Sequence, residues 1–375
     1  MPSAVSWLES LSPWPEEFGL GRMRQLLRAL GDPQRDFPAI HVVGTNGKTT
    51  TTRMAEALLE GDGVRTGAYT SPHVTGWAER IRVGGGEADV ERVLARVRPQ
   101  AERLGATQFE ALTAAALAEF AWAGVEVAVV EAGLGGRHDA TNVLRAPVVV
   151  LTNVSLEHTD VLGSTREEIA AEKLAVIGPG ATVVLGEPEW EEAARAAGAA
   201  AVVVTGLSNL ALAVAAVESF LGRLVDATPA EKLELPGRLE RYGEAPLEIR
   251  DGAHNLAGVG HLLARVPRAD YVVVVSVLED KDVRGMLAAL SALGGHLVAT
   301  ASSNPRALPA GELAEAARPY FEQVEAIPDP LAALARAREA AGPAGALIVT
   351  GSLYLLAEVA SVRPSRLPWQ ASASG

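Results

Sequence analysis

Two α/β units, each built on a mostly parallel β-sheet covered by helices, are what this 375-residue sequence predicts. Three observations carry that expectation. Short β-branched runs recur at Val127 to Val130, Val148 to Leu151, Thr182 to Leu185, Val202 to Thr205, Tyr271 to Val275 and Leu347 to Thr350, and they read as buried strands. Ala-, Leu- and Glu-rich stretches of helical period lie between them, as at Phe109 to Ala123, Arg166 to Ile177 and Met286 to Leu293. The length exceeds one ordinary core, and 48% hydrophobic residues against 21% charged can fill two. The best boundary is Asp226 to Gly237, where Thr228-Pro229 and Leu235-Pro236-Gly237 break a helical stretch before a new strand. The expected domains are therefore 1–232 and 237–375.

Composition removes several classes of partner. A net charge of −13 argues against a nucleic-acid surface, which needs basic residues to neutralise phosphates. No apolar run reaches the roughly 18 residues of a membrane span. The absence of cysteine excludes disulfides, thiolate nucleophiles and Cys-ligated zinc. The opening MPSAVSWLES has neither the basic start nor the apolar centre of an export signal, so a cytoplasmic location is expected.

Within the first unit, Gly44-Thr45-Asn46-Gly47-Lys48-Thr49-Thr50 stands between a strand-like Ala39 to Val43 and a helix-like segment through Met54 and Leu58. That is the layout of a phosphate-binding loop. Gly44 and Gly47 let backbone N–H groups face phosphate oxygens, Lys48 adds positive charge, and Thr49 or Thr50 offers a hydroxyl to Mg²⁺. Val42 stands where the longer pattern has glycine, so this is the G-x-x-G-K-T form. The loop says that this unit handles a nucleotide.

Further polar clusters follow predicted strands, where open α/β sheets build their sites. Tyr69-Thr70-Ser71-Pro72-His73 comes after the first helix, and Glu131 ends a buried strand before Ala132-Gly133-Leu134-Gly135-Gly136-Arg137. Asn153 and Glu157-His158-Thr159-Asp160 lead into a helix whose start is marked by Ser164 and Glu167 at capping-box spacing. On that helix Ile169, Lys173 and Ile177 share one face. An ammonium in an apolar stripe is costly, so Lys173 is salt-bridged, snorkelling, or chemically altered to suit a metal site. Asp251-Gly252-Ala253-His254-Asn255 and Asp280-Lys281-Asp282 complete the set in the second unit.

In this order the motifs resemble the Mur ligase superfamily and, within it, the folylpolyglutamate synthase/dihydrofolate synthase family. The similarity runs through Phe18-Gly19-Leu20, Gly31-Asp32-Pro33-Gln34, the loop, YTSPH with Glu79-Arg80-Ile81, Thr107-Gln108-Phe109-Glu110, EAGLGGR-x-DATNV, the segment from His158 to Lys173, Pro236-Gly237-Arg238-Leu239-Glu240, DGAHN, DKD, Pro305 to Pro309 and Thr350-Gly351-Ser352-Leu353-Tyr354. The resemblance implies ATP-dependent amide formation: a carboxylate of dihydropteroate or a folate takes the γ-phosphoryl group, and the amine of L-glutamate displaces phosphate. It implies an N-terminal P-loop ATPase-like domain, a C-terminal Rossmann-like domain and an active site in the cleft between them, with ATP and Mg²⁺ as cofactors; small-molecule partners only and a monomer are expected.

The resemblance also implies roles. Gly44, Thr45, Asn46, Gly47, Lys48, Thr49, Thr50, Asn209, Arg238 and Asp251 match ATP-binding positions. Thr49, Ser71, Glu131, His158 and Lys173 match metal-associated positions, with Lys173 as a carbamate. Lys48, Glu131, His158, Lys173 and His254 are the expected catalytic set. His73, Arg80, His254, Ser352 and Tyr354 match glutamate- or folate-binding positions. The chain departs from the family at Thr49-Thr50, where Gly-Ser is usual, at Leu174 to Ile177, at Leu256, and in a shortened segment between Glu187 and Pro236. The alternatives are a Mur-type ligase acting on a UDP-sugar peptide and a P-loop nucleotide-binding module without ligase activity.

Overall fold

The computed structural model describes residues 3–13, 15 and 18–360, and its chain divides into two compact units at Leu233/Glu234. Both are α/β, as the strand and helix periodicities require. The last fifteen residues of the expected second domain, 361–375, lie outside the described residues.

The first unit holds an eight-stranded sheet of β1 (Ala39–Val43), β2 (Thr66–Tyr69), β3 (Ile81–Val83), β4 (Gly86–Glu87), β5 (Val127–Glu131), β6 (Val148–Leu151), β7 (Thr182–Leu185) and β8 (Ala201–Val204). The order is β4-β3-β2-β5-β1-β6-β7-β8, parallel except where β3 pairs with β2 and β4. Burial on both faces explains the unbroken valine runs. Val127 and Val129 pack with the helices Lys48–Gly61 and Asn209–Leu221 on one side, whereas Ala128 and Val130 pack with Gln108–Ala123 on the other. Parallel pairing brings the ends of β1, β2, β5 and β6 to one rim, and the phosphate-binding loop, Ser71, Glu131 and Asn153 all follow from there.

The second unit holds β9 (Glu240–Glu244), β10 (Leu247–Arg250), β11 (Tyr271–Val275), β12 (His296–Ala299), β13 (Gln323–Ala326) and β14 (Ala346–Thr350). Their order is β13-β12-β11-β14-β10-β9, with only β9 antiparallel. No helix among the described residues is long and apolar enough to cross a membrane.

Four local expectations are corrected. The run Val202 to Thr205 is not a buried strand: β8 pairs with β7 alone, and Val203 and Val204 are 37% and 41% exposed on the open edge. The helix expected over Arg166 to Ile177 stops at Leu174, ahead of Gly178-Pro179, so Ile177 leaves the stripe shared by Ile169 and Lys173. Its capping box forms one residue later than expected. Thr165 accepts from the Glu168 N–H while Glu168 reaches back, also accepting from the N–H and hydroxyl of Ser164. Thr228-Pro229 opens a short helix, Thr228–Glu231, because proline is pre-shaped for a first turn.

Candidate functional site

The phosphate-binding loop is held from below by the segment after β6. Asn153 accepts from the Asn46 N–H at 3.0 Å through its amide oxygen and donates to the Asn46 carbonyl at 3.0 Å through its amide nitrogen. The Thr152 hydroxyl donates to the same carbonyl at 2.7 Å, and the Ser155 N–H donates to the Thr45 hydroxyl at 3.0 Å. Gly47 caps the following helix at φ +83°, where a Cβ would collide with the Asn209 amide oxygen. Only glycine permits that approach, which sets Asn209 against the loop. Lys48 lies along the loop, its Nζ donating to the carbonyls of Gly44 and Thr45 at 3.0 and 3.1 Å. Thr49 and Thr50 follow on the first helical turn, both half-buried.

Glu131, 2% exposed, ends β5 beside this turn. Its carboxylate accepts from the Thr49 hydroxyl at 2.9 Å and from the Ser71 N–H at 3.1 Å, joining three of the residues expected to serve a metal. A carboxylate, two hydroxyls and neighbouring phosphate oxygens are the hard-oxygen set that suits Mg²⁺, which takes one or two carboxylates and completes its shell from phosphate and water. Among the described residues no group of three or more His, Asp or Glu side chains could hold a metal. A cation beside Glu131 would complete its shell with hydroxyl, phosphate and water oxygens.

Lys173 is 1% exposed and donates to Glu157 at 2.8 Å and to the Gly44 carbonyl at 2.9 Å. The structure thus selects the salt-bridged alternative for its unmodified form and ties its helix to the loop. Burial pushes the Glu157 carboxyl up, but the charges of Lys173 and Lys48 and the Lys173 hydrogen bond outweigh it and hold it at about 2. Burial conversely draws the Lys173 ammonium below its usual range, against the pull of Glu157. We take the pair as ionised, with Lys173 an ammonium that gives up its proton more readily than a solvated one. His158, next in the chain, adopts φ +47° at the start of a short helix.

His73 and Arg80 form a second pair on this rim, where Arg80 Nε donates to His73 Nδ1 at 3.0 Å and the guanidinium lies 4.6 Å from the Trp77 ring centre. Burial and the Arg80 charge lower His73 to about 4, so it is a neutral acceptor beside a cation. Glu79 holds the intervening turn by accepting from the N–H groups of Val74 and Thr75.

Beside Glu131 the loop 132–142 borders a cavity of about 300 Å³. Phe18, Phe109, Leu134 and Leu162 supply apolar walls, and Asp139 and His138 supply polar groups. Glu110 also borders it, but its carboxylate is engaged by the Thr107 N–H and hydroxyl and by Arg22 at 2.7 Å. Gly136 lies where a Cβ would meet the carbonyls of Lys173 and Glu172 at 2.7 and 2.8 Å, so the cavity wall rests on the lysine helix.

In the second unit the expected residues gather on the matching rim of the other sheet. Asp251 accepts from the N–H groups of Leu239 and Ala253, shaping the turn that carries Arg238 and His254. His254 Nδ1 lies 2.8 Å from the Gly252 carbonyl. The Gly351 N–H donates to the Ala253 carbonyl, which brings the end of β14 alongside. There the Ser352 side chain caps a helix by accepting from the Tyr354 N–H, and Tyr354 is 43% exposed.

Sequence reasoning missed the clamp by Thr152, the Glu157 partner of Lys173, and the cavity with its Asp139. The signals were present in the motifs TQFE and DATN, but without a structure neither pointed to a shared pocket.

Family models for the Mur ligase middle domain and for the Mur ligase glutamate ligase domain match residues 42–225 and 237–353. The dihydrofolate synthase/folylpolyglutamate synthase of Mycobacterium tuberculosis is 36% identical, over 82% of this chain and 80% of its own length. The solved structure of M. tuberculosis folylpolyglutamate synthase complexed with ADP superposes with a TM-score of 0.87 at 33% identity, covering 96% of this chain and 98% of that one. The bifunctional enzyme of Yersinia pestis, complexed with AMPPNP and Mn ion, gives 0.85 at 31% identity, covering 96% and 97%.

Proposed function

The chain belongs to the dihydrofolate synthase/folylpolyglutamate synthase family of Mur-type ligases, and we propose that the rim of its first sheet carries the ATP-dependent half of the reaction. It is an ATP-dependent acid–amino-acid ligase that joins L-glutamate to folates and works with ATP and a divalent cation. The observation that carries the assignment of residues is a pair of hydrogen-bond networks that meet at the adjacent Lys48 and Thr49, one joining Thr49, Glu131 and the Ser71 backbone, the other joining Lys48, the Gly44 carbonyl and Lys173.

Gly44 to Thr50 bind the triphosphate, Asn209, which abuts the loop at Gly47, is assigned to ATP, and Lys48 offsets phosphate charge. Thr49, Ser71, Glu131 and His158 would hold Mg²⁺, joined by Lys173 only in its carbamate form, and the bound ion would neutralise charge on the transferring phosphoryl. Arg238, Asp251 and His254 are assigned to ATP and the incoming glutamate, and Ser352 with Tyr354 to glutamate. Arg80 offers a cation to a substrate carboxylate, and neutral His73, whose Nδ1 accepts from Arg80, offers the N–H of its Nε2. The same reading takes the working enzyme as a cytoplasmic monomer, which sedimentation and cell fractionation check.

Glu131→Gln and His158→Ala are expected to raise the magnesium concentration needed for half-maximal turnover and to lower kcat by about 10²-fold, since charge placed where phosphoryl charge develops is worth that much. Magnesium titrations unchanged in both variants would remove the metal assignment.

The cavity beside Glu131 suits the pterin. A flat heteroaromatic ring needs an aromatic wall, here Phe109, and a carboxylate acceptor for its amino and ring N–H groups, here Asp139. Stacking on one aromatic side chain is worth about 1–3 kcal/mol. Phe109→Ala should therefore raise the KM for the pterin acceptor about tenfold while the KM for ATP stays put. An unchanged acceptor KM would place the pterin elsewhere.

A further inference from the structure

One buried histidine has no part in the chemistry so far. His41 sits in the middle of β1, paired in register with Val130 and Val149, at a position where every strand neighbour is apolar. It is 1% exposed, and burial lowers it to about 4. A polar ring in such a place is costly unless hydrogen-bonded, and packing alone would be served by valine. Its partner is the Thr141 hydroxyl, 2.8 Å from Nε2 and itself fully buried.

The direction of the chain of hydrogen bonds follows from proton counting. Thr141 Oγ1 is also bonded to Asp139 Oδ1, and a carboxylate only accepts, so the single hydroxyl proton points at Asp139. The Thr141 oxygen must then accept from His41, which fixes the neutral ring with its proton on Nε2. Asp139 receives three more donors, the N–H of Thr141 at 3.0 Å on Oδ1, that of Leu134 at 2.8 Å on Oδ2 and that of Gly133, which together oppose the rise that burial gives its carboxyl and favour the carboxylate. The carboxylate is thereby held at the cavity wall.

We propose that His41 and Thr141 are positioning residues that fix the Asp139 carboxylate for recognition of the acceptor's hydrogen-bond donor edge, coupling the strand that feeds the phosphate-binding loop to the acceptor cavity. This rests on the reading of that cavity as the pterin site. His41 and Gly44 share one short strand and its loop, so a shift of the acceptor wall and a shift of the loop are resisted by the same rigid element.

The test compares His41→Leu, Thr141→Val and Thr141→Ser with Phe109→Ala, in the full-length enzyme, by steady-state kinetics in dihydropteroate and in ATP, with thermal unfolding run alongside. Thr141→Val keeps the shape and removes both bonds. It should raise the acceptor KM about tenfold, with the KM for ATP within twofold of wild type. Thr141→Ser should restore the acceptor KM to within about threefold. His41→Leu should resemble Thr141→Val, and the double variant should be no worse than either, because all three break one chain. A Thr141→Val variant whose melting temperature falls while its acceptor KM is unchanged overturns the proposal, and so does failure of Thr141→Ser to restore recognition. If Phe109→Ala leaves the acceptor KM unchanged, the cavity reading fails and this proposal with it. If Phe109→Ala raises it and Thr141→Val does not, the relay alone is wrong.

Discussion

Lys48→Ala is expected to lower ATP turnover by about 10²–10³-fold with the fold intact. The lysine's bonds in the structure are to two loop carbonyls, Gly44 and Thr45, and it is not part of a hydrophobic cluster. Removing it therefore costs little packing. It does remove a positive charge from the loop that receives the triphosphate, and the loss of one well-placed donor to developing oxyanion charge is worth about 3–4 kcal/mol of barrier. Arginine is no substitute, because its planar fork cannot follow the compact ammonium along the loop. ADP release measured beside a thermal unfolding curve separates the two effects, and turnover within a few-fold of wild type with an unshifted melting curve would refute the role.

Lys173→Ala carries the second large effect, and here stability and activity should both change. Removing one partner of a buried pair strands the other, at a cost of about 3–5 kcal/mol, and Glu157 is the partner stranded. The family resemblance implies more, a carbamate on this lysine. Carbamate formation joins a neutral amine to CO₂ and releases a proton, and the lowered Lys173 ammonium favours the neutral amine it needs. The product is an anionic oxygen ligand suited to Mg²⁺. Loss of activity with partial rescue by small carboxylates in solution is the expected outcome. Labelling with ¹³C-bicarbonate, watched by NMR at neutral pH, should show a carbamate carbon in the magnesium-loaded enzyme. Destabilisation without rescue, and no such carbon in active enzyme, would leave Lys173 as the salt bridge to Glu157 alone.

What was legible in the sequence was local. The strands Ala39 to Val43, Val148 to Leu151 and Tyr271 to Val275 stand where their valine runs place them, because a strand covered on both faces has no polar alternation to blur it. The loop Gly44 to Thr50 was legible for the same reason, since its chemistry is written within seven residues. An edge is different: β8 carries the valines of a buried strand yet lies open, and nothing within four residues says whether a neighbour lies beyond. Ser164 with Glu167 and Thr165 with Glu168 fit one capping pattern equally, and the extended backbone at Thr165 chose between them. The rest was illegible because it is made across long separations. Asn153 clamps Asn46 over 107 residues, and His41 meets Thr141 over 100. Lys173 meets Gly44 over 129. Each residue was visible, but its partner was not.

The central claim is that this chain spends ATP to join L-glutamate to a folate-type acceptor. Purified protein incubated with MgATP, L-glutamate and either dihydropteroate or tetrahydrofolate tests it directly, following ADP release and product mass. The account predicts ADP release that depends on acceptor and glutamate together, with a product heavier by one glutamyl residue. ADP release with a UDP-muramoyl acceptor and with neither pterin would contradict it.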